Sequence, residues 1–230
     1  MTKWNEEYLK KGIPSSYRHD PSGVLKWALE NWSIITQTSL PISAVDIGCG
    51  TGRNSIYMAS LGIGVLGFDS SDIAINNAQK RMESANLTNL PNFKIHDLAE
   101  GVPGNDNEFD FAIDVFVYKH QISASTRMNY RKELHRVLRK DGLLLVSLAD
   151  KEDGYYKNCP DLKNLERGNP RTIIDEEVGI ASVLFNLQEL IDEMSDCFDL
   201  NMCWLKAKQG KMHGSDYLRR TIATLWKRKD

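Results

Sequence analysis

The stretch Ala44-Val45-Asp46-Ile47-Gly48-Cys49-Gly50-Thr51-Gly52-Arg53-Asn54 decides the fold of this 230-residue chain. The mainly apolar segment 42–47 predicts a buried strand, and the pattern after the glycines predicts a helix at 53–61. Glycines between a strand and a helix let the backbone turn tightly and let a ligand approach the main chain. The spacing therefore predicts a strand–loop–helix unit that binds a ligand at its loop.

The alternation of strand and helix continues along the chain. Further strands are predicted at 65–68, 93–95, 109–117 and 143–148, with helices between them at 71–85 and 123–139. A helix at 21–36 precedes this series, and a helix at 184–195 and strands at 200–208 and 217–226 follow it. The alternation is typical of a parallel sheet with helices on both faces. We expect the last two strands to form a hairpin on the sheet edge, with its turn at 210–214.

The length fits a single α/β domain over residues 1–230. We expect four parts in it: an N-terminal lid and helix (1–36), a cofactor-binding core (42–148), an insertion (150–180), and a C-terminal helix with a hairpin (184–226). The insertion is rich in charged residues, Asn, Gly and Pro, and a loop of that length is usually functional or disordered.

Composition narrows the possible partners. The net charge is -2, so no global basic field would attract nucleic acid or an anionic membrane. Four cysteines lack CxxC spacing, and we expect neither a metal site nor a disulfide framework. Residues 1–20 are polar, and no apolar run approaches the length of a membrane span, so we expect no secretory signal and no membrane helix. We expect a cytoplasmic monomer or homodimer.

Three features of the glycine loop indicate its ligand. Arg53 stands where the dinucleotide fingerprint needs a third spaced glycine. Asp46 would repel a pyrophosphate and would suit a cationic amine, directly or through water. Asp69 ends the second strand, where a carboxylate can accept both hydroxyls of an adenosine ribose. Together they predict S-adenosylmethionine, which has an amino-acid tail and no phosphate; a plain tight turn and a solvated strand end are the alternatives.

Two more strand ends contribute candidates. His96, Asp97 and Leu98 follow the third strand, where Asp97 could accept the adenine amine and Leu98 could offer its N–H, although a polar turn is the alternative. Asp114 in the fourth strand faces either the crevice or a core network. The predicted cofactor-binding set is Asp46, Gly48, Cys49, Gly50, Gly52, Arg53, Asn54, Asp69, Ser70, His96, Asp97, Leu98 and Asp114.

The segment Asp46-Ile47-Gly48-Cys49-Gly50-Thr51-Gly52 resembles the cofactor motif of class I S-adenosylmethionine-dependent methyltransferases, over roughly residues 20–150. Gly52-Arg53-Asn54-Ser55 with Tyr57-Met58-Ala59, the lead-in 4–8 and the terminal segment 219–224 are similar to the tellurite-resistance methyltransferases and their small-molecule-modifying relatives. The resemblance implies a Rossmann-like, doubly wound, mostly parallel seven-stranded sheet with an antiparallel C-terminal strand. Segment 150–180 departs from the family pattern, which leaves the acceptor open.

Methyl transfer from a sulfonium is an in-line displacement, in which alignment and water exclusion should dominate. The catalytic candidates are His120, Tyr118 and Arg18. His120 could be a base, could orient the acceptor, or could be an ordinary surface or capping residue. Arg18 could pair with an anionic acceptor or the cofactor carboxylate, or could be a surface residue. Tyr17 is either a lid aromatic or a packing residue, and His19 and Lys119 are further pocket candidates.

A small-molecule methyltransferase is the favoured hypothesis. A methyltransferase that acts on protein or RNA is the first alternative, opposed by the near-neutral charge. An NAD-type oxidoreductase is opposed by Arg53 and Asp46. A binding protein that keeps the fold without turnover is the last alternative.

Overall fold

The structure is a computed structural model that describes residues 2–13, 16, 18–162 and 170–230. Its helices are α1 (Lys3–Lys10), α2 (Gly23–Glu30), α3 (Trp32–Thr36), α4 (Arg53–Ser60), α5 (Asp72–Glu83), α6 (Ala124–Val137) and α7 (Leu187–Met194). Its strands are β1 (Ser43–Ile47), β2 (Gly64–Asp69), β3 (Asn92–Ile95), β4 (Phe109–Val115), β5 (Leu138–Ala149), β6 (Thr172–Asp175), β7 (Ile180–Val183), β8 (Phe198–Met212) and β9 (Ser215–Arg228). Short 3-10 turns lie at Leu98–Glu100, Tyr118–His120 and Tyr156–Asn158.

Seven strands form one sheet in the order β3-β2-β1-β4-β5-β9-β8. Strands β1 to β5 pair in parallel, whereas β9 runs antiparallel to both β5 and β8. The predicted Rossmann-like sheet with an antiparallel C-terminal strand is thereby confirmed. The chain winds outward in both directions from β1, and ligands of such sheets bind where the strand order reverses, here between β1 and β4.

Helices bury both faces of the sheet. One apolar cluster lies under α6 and α7, where Leu134 and Met194 are fully buried. The other lies under α2 and α4, where Leu25 and Met58 are fully buried. Each such side chain contributes about 1.5–3 kcal/mol through its removal from water. The two layers fix the carboxyl edge of the sheet, from which the loops of the site emerge.

The N-terminal region is more ordered than its polar sequence predicts. The Thr2 side chain accepts a hydrogen bond from the Asn5 N–H and caps α1, which buries Tyr8. The predicted helix 21–36 is two helices, because Asn31 leaves the helical conformation at φ -108°. The chain therefore changes direction between α2 and α3.

The segment 150–180 contains structure that the composition did not predict. Strands β6 and β7 form a two-stranded antiparallel sheet, in which Ile173 and Val183 are fully buried. The predicted helix at 184–195 begins later, at Leu187, because Phe185 is buried and the Asn186 and Glu189 side chains form a capping box. Residues 163–169 lie outside the described residues.

The C-terminal hairpin is longer than predicted, and its turn is tighter. Its strands meet at His213 and Gly214, which both have positive φ (47° and 81°) as in a type I′ turn. Strand β5 pairs only with residues 221–227 of β9. The remainder of the hairpin, residues 206–220, therefore projects beyond the sheet as an arm.

Candidate functional site

A cavity of about 1150 Å³ opens at the carboxyl ends of β1, β2, β4 and β5. The strand ends contribute Gly48, Asp69, Val115 and Ser147 to its lining. It lies at the reversal of strand order between β1 and β4, where the fold predicts a ligand. Pockets for small ligands have volumes of about 300–1,000 Å³, so this cavity has room for a nucleoside-sized molecule and a second small molecule.

The glycine loop adopts a conformation that few other residues tolerate. Gly48, Gly50 and Gly52 have φ values of 57°, 55° and 76°. A Cβ on Gly50 would lie 2.7 Å from Tyr8 Oη, and one on Gly48 would lie 2.5 Å from Val117 Cγ2. Gly48 lines the cavity, whereas Gly50 and Gly52 do not. The loop thus combines left-handed backbone with close neighbours, which only glycine permits.

Asp69 ends β2 and lines the cavity, and it is 8% exposed. Its Oδ2 accepts a hydrogen bond from the Gly50 N–H at 3.0 Å, and its Oδ1 accepts one from the Ser71 N–H at 2.9 Å. Burial raises the pKa of this carboxyl, and the backbone hydrogen bonds and the Tyr8 hydroxyl oppose that rise. Ser70 also lines the cavity. Binding of a ribose by Asp69 stays a prediction, and the position suits it.

Asp46 lies behind the loop and does not line the cavity. It is 1% exposed, and its Oδ2 accepts a hydrogen bond from Ser55 Oγ at 2.5 Å. Burial raises its pKa to about 7, against the hydrogen bond from Ser55 and the charge of Arg53, which lower it. The observed bond ties β1 to α4, and the predicted role of Asp46 at a ligand amine is untested.

The residues after the glycines hold the N-terminal chain over the site. Asn54 Oδ1 accepts a hydrogen bond from the Ser22 N–H at 2.8 Å, and Arg53 Nη1 donates to the Asp20 carbonyl at 3.3 Å. Arg53 lines the cavity and Asn54 does not. Cys49 is buried outside the lining, with its N–H donating to the Phe68 carbonyl. The Arg-Asn pair therefore has a tethering function that the sequence did not indicate.

The turn after β3 reaches the cavity with all three predicted residues. His96, Asp97 and Leu98 line it. His96 Nε2 lies 2.9 Å from the Gly101 carbonyl oxygen, and Asp97 Oδ1 accepts a hydrogen bond from the Ala99 N–H at 2.9 Å. Asp97 thus caps the short 3-10 turn while it faces the cavity. Contact with an adenine stays a prediction for these residues.

Asp114 and Tyr118 lie outside the cavity, and their predicted places in it need correction. Asp114 is fully buried, and its oxygens accept hydrogen bonds from the N–H groups of Val117 and Tyr118 and from the Tyr130 hydroxyl. The Tyr118 hydroxyl is 3.0 Å from Glu193 Oε1, on the side of α6 and α7. The core network, which was the alternative for Asp114, is what the structure contains.

His120 lines the cavity at the far side of β4. Its Nδ1 lies 2.9 Å from the Ala181 carbonyl oxygen, and its ring lies 4.9 Å from that of Trp4. Burial, with the charge of Lys119, lowers the pKa of His120 to about 3. The imidazole is therefore neutral, and donation from Nδ1 to the carbonyl leaves Nε2 as an acceptor.

The lead-in segment contributes one of its three predicted residues. Arg18 is exposed and lines the cavity. His19 does not line it, and the His19 carbonyl accepts a hydrogen bond from Arg81 Nη2 at 2.9 Å. Tyr17 lies outside the described residues.

Sequence reasoning missed several lining residues, since they come from elements far apart in the chain. They are Trp4 and Tyr8 of α1, Asp175 of β6, and Lys206, Lys208, Lys211 and Arg219 of the hairpin arm. Two signals were available. Trp4 and Tyr8 are four residues apart and share a helix face, and Lys206 and Lys208 are two residues apart and share a strand face.

Residues 44–142 match the family described as "Methyltransferase domain". The match contains β1, the glycine loop, Asp69 and the turn after β3. Residues 44–142 thus carry a methyltransferase domain, and the predicted S-adenosylmethionine-dependent methyltransferase class, with S-adenosylmethionine as cofactor, is confirmed for this part of the chain.

Three relatives illustrate the similarity. An uncharacterized methyltransferase of Synechocystis is 28% identical over 102 residues, which are 44% of this chain and 44% of the relative. The 2-heptyl-1-hydroxyquinolin-4(1H)-one methyltransferase of Mycobacteroides abscessus is 27% identical over 155 residues (63% and 66%). The probable S-adenosyl-L-methionine-dependent methyltransferase TehB of Haemophilus influenzae is 32% identical over 114 residues (48% and 36%). The chain thus spans less than two thirds of each.

Solved structures share the fold. A methyltransferase of Methanosarcina mazei superposes with a TM-score of 0.68 and 21% identity, over 90% of this chain and 98% of its own. The 1,6-didemethyltoxoflavin-N1-methyltransferase of Burkholderia thailandensis, with bound 1,6-didemethyltoxoflavin and S-adenosylhomocysteine, superposes with a TM-score of 0.67 and 16% identity, over 99% and 88%.

Proposed function

We propose that this chain transfers the methyl group of S-adenosylmethionine to a small-molecule acceptor held in the same cavity. One observation carries the proposal. The cavity is continuous from Gly48 and Asp69, beside the glycine loop, to His120 and the hairpin arm. Two ligands can therefore meet in it with their reacting atoms in line.

The loop end of the cavity fits the cofactor. Gly48 presents bare backbone, and Asp69 and Asp97 present carboxylates, as a sugar and an adenine amine require. Arg53 lines the same region and suits the carboxylate of an amino-acid tail. The cofactor, when bound, supplies a methyl group on a positively charged sulfur that becomes neutral on transfer.

The chain's own contribution is positioning and exclusion of water. Helix α1 covers the loop, where Tyr8 is 9% exposed. His120 is fixed by its bond to the Ala181 carbonyl, so its Nε2 can accept a hydrogen bond from an O–H or N–H of the acceptor. Because the pKa of His120 is lowered to about 3, the imidazole does not hold a proton taken from the acceptor near neutral pH. We therefore assign His120 an orienting role. Alignment of this kind supplies much of the rate in such displacements.

Two observations favour a small acceptor over a protein or an RNA. The acceptor end is lined by residues of α1, β6 and the hairpin arm, which come from three different parts of the chain. The relatives from Mycobacteroides abscessus and Burkholderia thailandensis are named for small heterocyclic molecules. Separately, no helix in the described residues is both long enough and apolar enough to cross a membrane. The cytoplasmic location and the monomeric or dimeric state stay predictions.

Calorimetry with S-adenosylhomocysteine tests the cofactor site. We expect Asp69→Asn to weaken binding about 10- to 100-fold, since a hydrogen bond to a charged group contributes about 1.5–3 kcal/mol. Asp216→Asn, on the exposed arm, is the matched control and should bind normally. Equal affinity of Asp69→Asn and the control, in folded proteins, would remove the assignment.

Transfer of labelled methyl groups tests the acceptor class. Cell extract is divided into metabolites, RNA and protein, and each fraction is incubated with the enzyme and labelled cofactor. We expect label in the metabolite fraction. Label confined to RNA or protein would instead establish the macromolecular alternative, and cofactor binding without any transfer would establish a non-catalytic protein.

A further inference from the structure

The cavity contains a largely buried lysine that forms no ion pair with the described residues. Lys119 is 3% exposed and lines the cavity. Its Nζ lies 3.9 Å from the centre of the Tyr156 ring and 5.8 Å from that of Phe116. In the described part of the chain no carboxylate or carbonyl accepts a hydrogen bond from it. An ammonium that faces the cavity and has no acceptor among the described residues suits a ligand that supplies one.

Arg219 contacts the same aromatic ring as Lys119. Its Cζ lies 5.4 Å from the centre of the Tyr156 ring. Its Nε donates to both oxygens of Asp153, which is fully buried and also accepts from the N–H groups of Tyr155, Tyr156 and Arg220. Asp153 therefore fixes the guanidinium by one nitrogen. The two terminal nitrogens donate to no acceptor among the described residues, and the side chain lines the cavity.

Further cations gather at this end. Lys206, Lys208 and Arg18 line the cavity. The pKa of Lys208 is lowered by burial and then by the charges of Arg18, Lys206 and Arg219, which shows that these cations are close together. Positive charges held together repel one another, and an anion between them removes that cost.

A second carboxylate at this end of the cavity is already hydrogen-bonded. Asp175 lines the cavity and is 3% exposed. Its Oδ1 accepts a hydrogen bond from the Tyr155 hydroxyl at 2.7 Å, and its Oδ2 lies 3.3 Å from His213 Nε2. Its Oδ1 also accepts a hydrogen bond from the Glu177 N–H at 3.2 Å, and Asp175 forms no ion pair with Lys119 or Arg219. Apolar residues complete this end, among them Ile13, Phe116 and Ile180.

We propose that the methyl acceptor is a small organic anion, whose carboxylate or phosphate binds between Lys119 and Arg219 on the face of Tyr156. The apolar lining receives the body of the acceptor, and the lysines of the arm surround its charge. The two free nitrogens of Arg219 suit two oxygens of one oxyanion. The inference rests on the proposed function, because it names the substrate class of the same cavity.

Binding to the protein saturated with S-adenosylhomocysteine tests the inference. The probes are aromatic monocarboxylates, each paired with its neutral carboxamide, and phenyl phosphate paired with phenol. We expect at least one anion to bind ten or more times tighter than its neutral partner, and the carboxylate and phosphate arms show which group is preferred. Binding of no anion at 10 mM, or equal binding of the paired probes, overturns the inference.

Three variants complete the experiment. Lys119→Met and Arg219→Met should each remove the preference for the anion, while Lys119→Arg should retain it. Lys132→Met, at an exposed position on α6, is the control and should change nothing. Affinity for S-adenosylhomocysteine is measured for every variant. Failure of the wild-type protein to bind that compound would contradict the proposed function, whereas normal cofactor binding with an unaltered anion preference in Lys119→Met would contradict the inference alone.

Discussion

The two ends of the cavity are built in different ways. The proposed cofactor end uses Gly48, Arg53, Asp69, Ser70 and residues 96–98, which lie at or after the ends of three strands that are side by side in the sheet. The proposed acceptor end combines α1, residues 119–120, β6 and the hairpin arm, which are separated by up to about 200 positions in the chain. The first is a local motif held by the sheet, and the second forms only when distant segments fold together. A change at one end should therefore leave the other largely intact.

The largest effect is expected from Gly50→Ala. Its φ of 55° disfavours alanine, and the new Cβ would lie 2.7 Å from Tyr8 Oη. We expect affinity for S-adenosylhomocysteine to fall at least about 100-fold, since loop and α1 must both shift, alongside about 1–3 kcal/mol of strain. Gly62→Ala is the control, because Gly62 has a similar φ of 86° with no neighbour within 4 Å of a Cβ. If calorimetry gives Gly50→Ala and Gly62→Ala the same affinity for S-adenosylhomocysteine, the contact of the new Cβ with Tyr8 is not the cause of the loss.

The two ends should respond to pH in opposite directions. Burial, with the charge of Arg219, lowers the pKa of Lys119 to about 7, while Asp175, Asp153 and Cys159 oppose that shift. Above pH 7 the ammonium loses its proton, so affinity for an anionic probe should fall by up to tenfold per pH unit. Lys119→Arg should flatten this dependence between pH 6 and 9.

Asp46 should give the opposite slope at the cofactor end. Its pKa of about 7 means that it gains its charge as the pH rises. On the prediction that this charge serves the ligand's amine, affinity for S-adenosylhomocysteine should increase from pH 6 to 8, and Asp46→Asn should abolish the increase. An identical slope in the variant would show that Asp46 only ties the loop to α4.

A smaller effect is expected on stability. Lys119 has a lower pKa in the folded protein than in the unfolded chain, so its burial destabilises the fold most below pH 7 and least near pH 10. Lys119→Met should raise the free energy of unfolding by about 1–4 kcal/mol at pH 6, with a smaller gain at pH 9. Denaturant unfolding beside Lys132→Met measures this. A loss of stability in Lys119→Met would mean that the ammonium has a partner.

The smallest effect is expected from Asn54→Ala. This variant leaves the Ser22 N–H without its acceptor, which costs about 1–3 kcal/mol when the group stays buried. We expect faster amide hydrogen exchange in residues 18–24 and only a few-fold loss of cofactor affinity. Asn76→Ala, at an exposed position of α5, serves as the comparison. Unchanged exchange at 18–24 would show that Arg53 and Arg81 hold this segment without Asn54.

The sequence predicted the strands and the glycine loop at the proposed cofactor end of the cavity because their signals are local. A glycine loop and the ends of short strands are set by adjacent residues, and the confirmed sheet follows from their alternation. Asp69 and Asp114 show where prediction from local sequence ends. Both lie at the ends of strands, but only Asp69 lines the cavity. Asp114 is engaged by Tyr130, sixteen residues later on α6. No pattern in the sequence reveals a partner contributed by another element.

Lys119 shows the same limit at the acceptor end. Its neighbours Tyr156 and Arg219 stand 37 and 100 positions further along the chain. The position of Lys119 after the fourth strand predicts that it lies near the pocket. The residue spacing gives no indication that Tyr156 contacts it. The polar composition of segment 150–180 predicts a loop. The structure instead contains β6 there, because Ile173 is buried where β6 pairs with β7.

The projecting arm has a consequence for how such enzymes diversify. Residues 206–220 pair with one another and take no part in the ladder with β5, so substitutions there need not disturb the sheet. The arm nonetheless contributes Lys206, Lys208 and Arg219 to the cavity. Substitution of its exposed lysines in homologues would therefore be a route to new substrate preferences, whereas Met212 and Arg219 are constrained because they pack on or pair with segment 150–180.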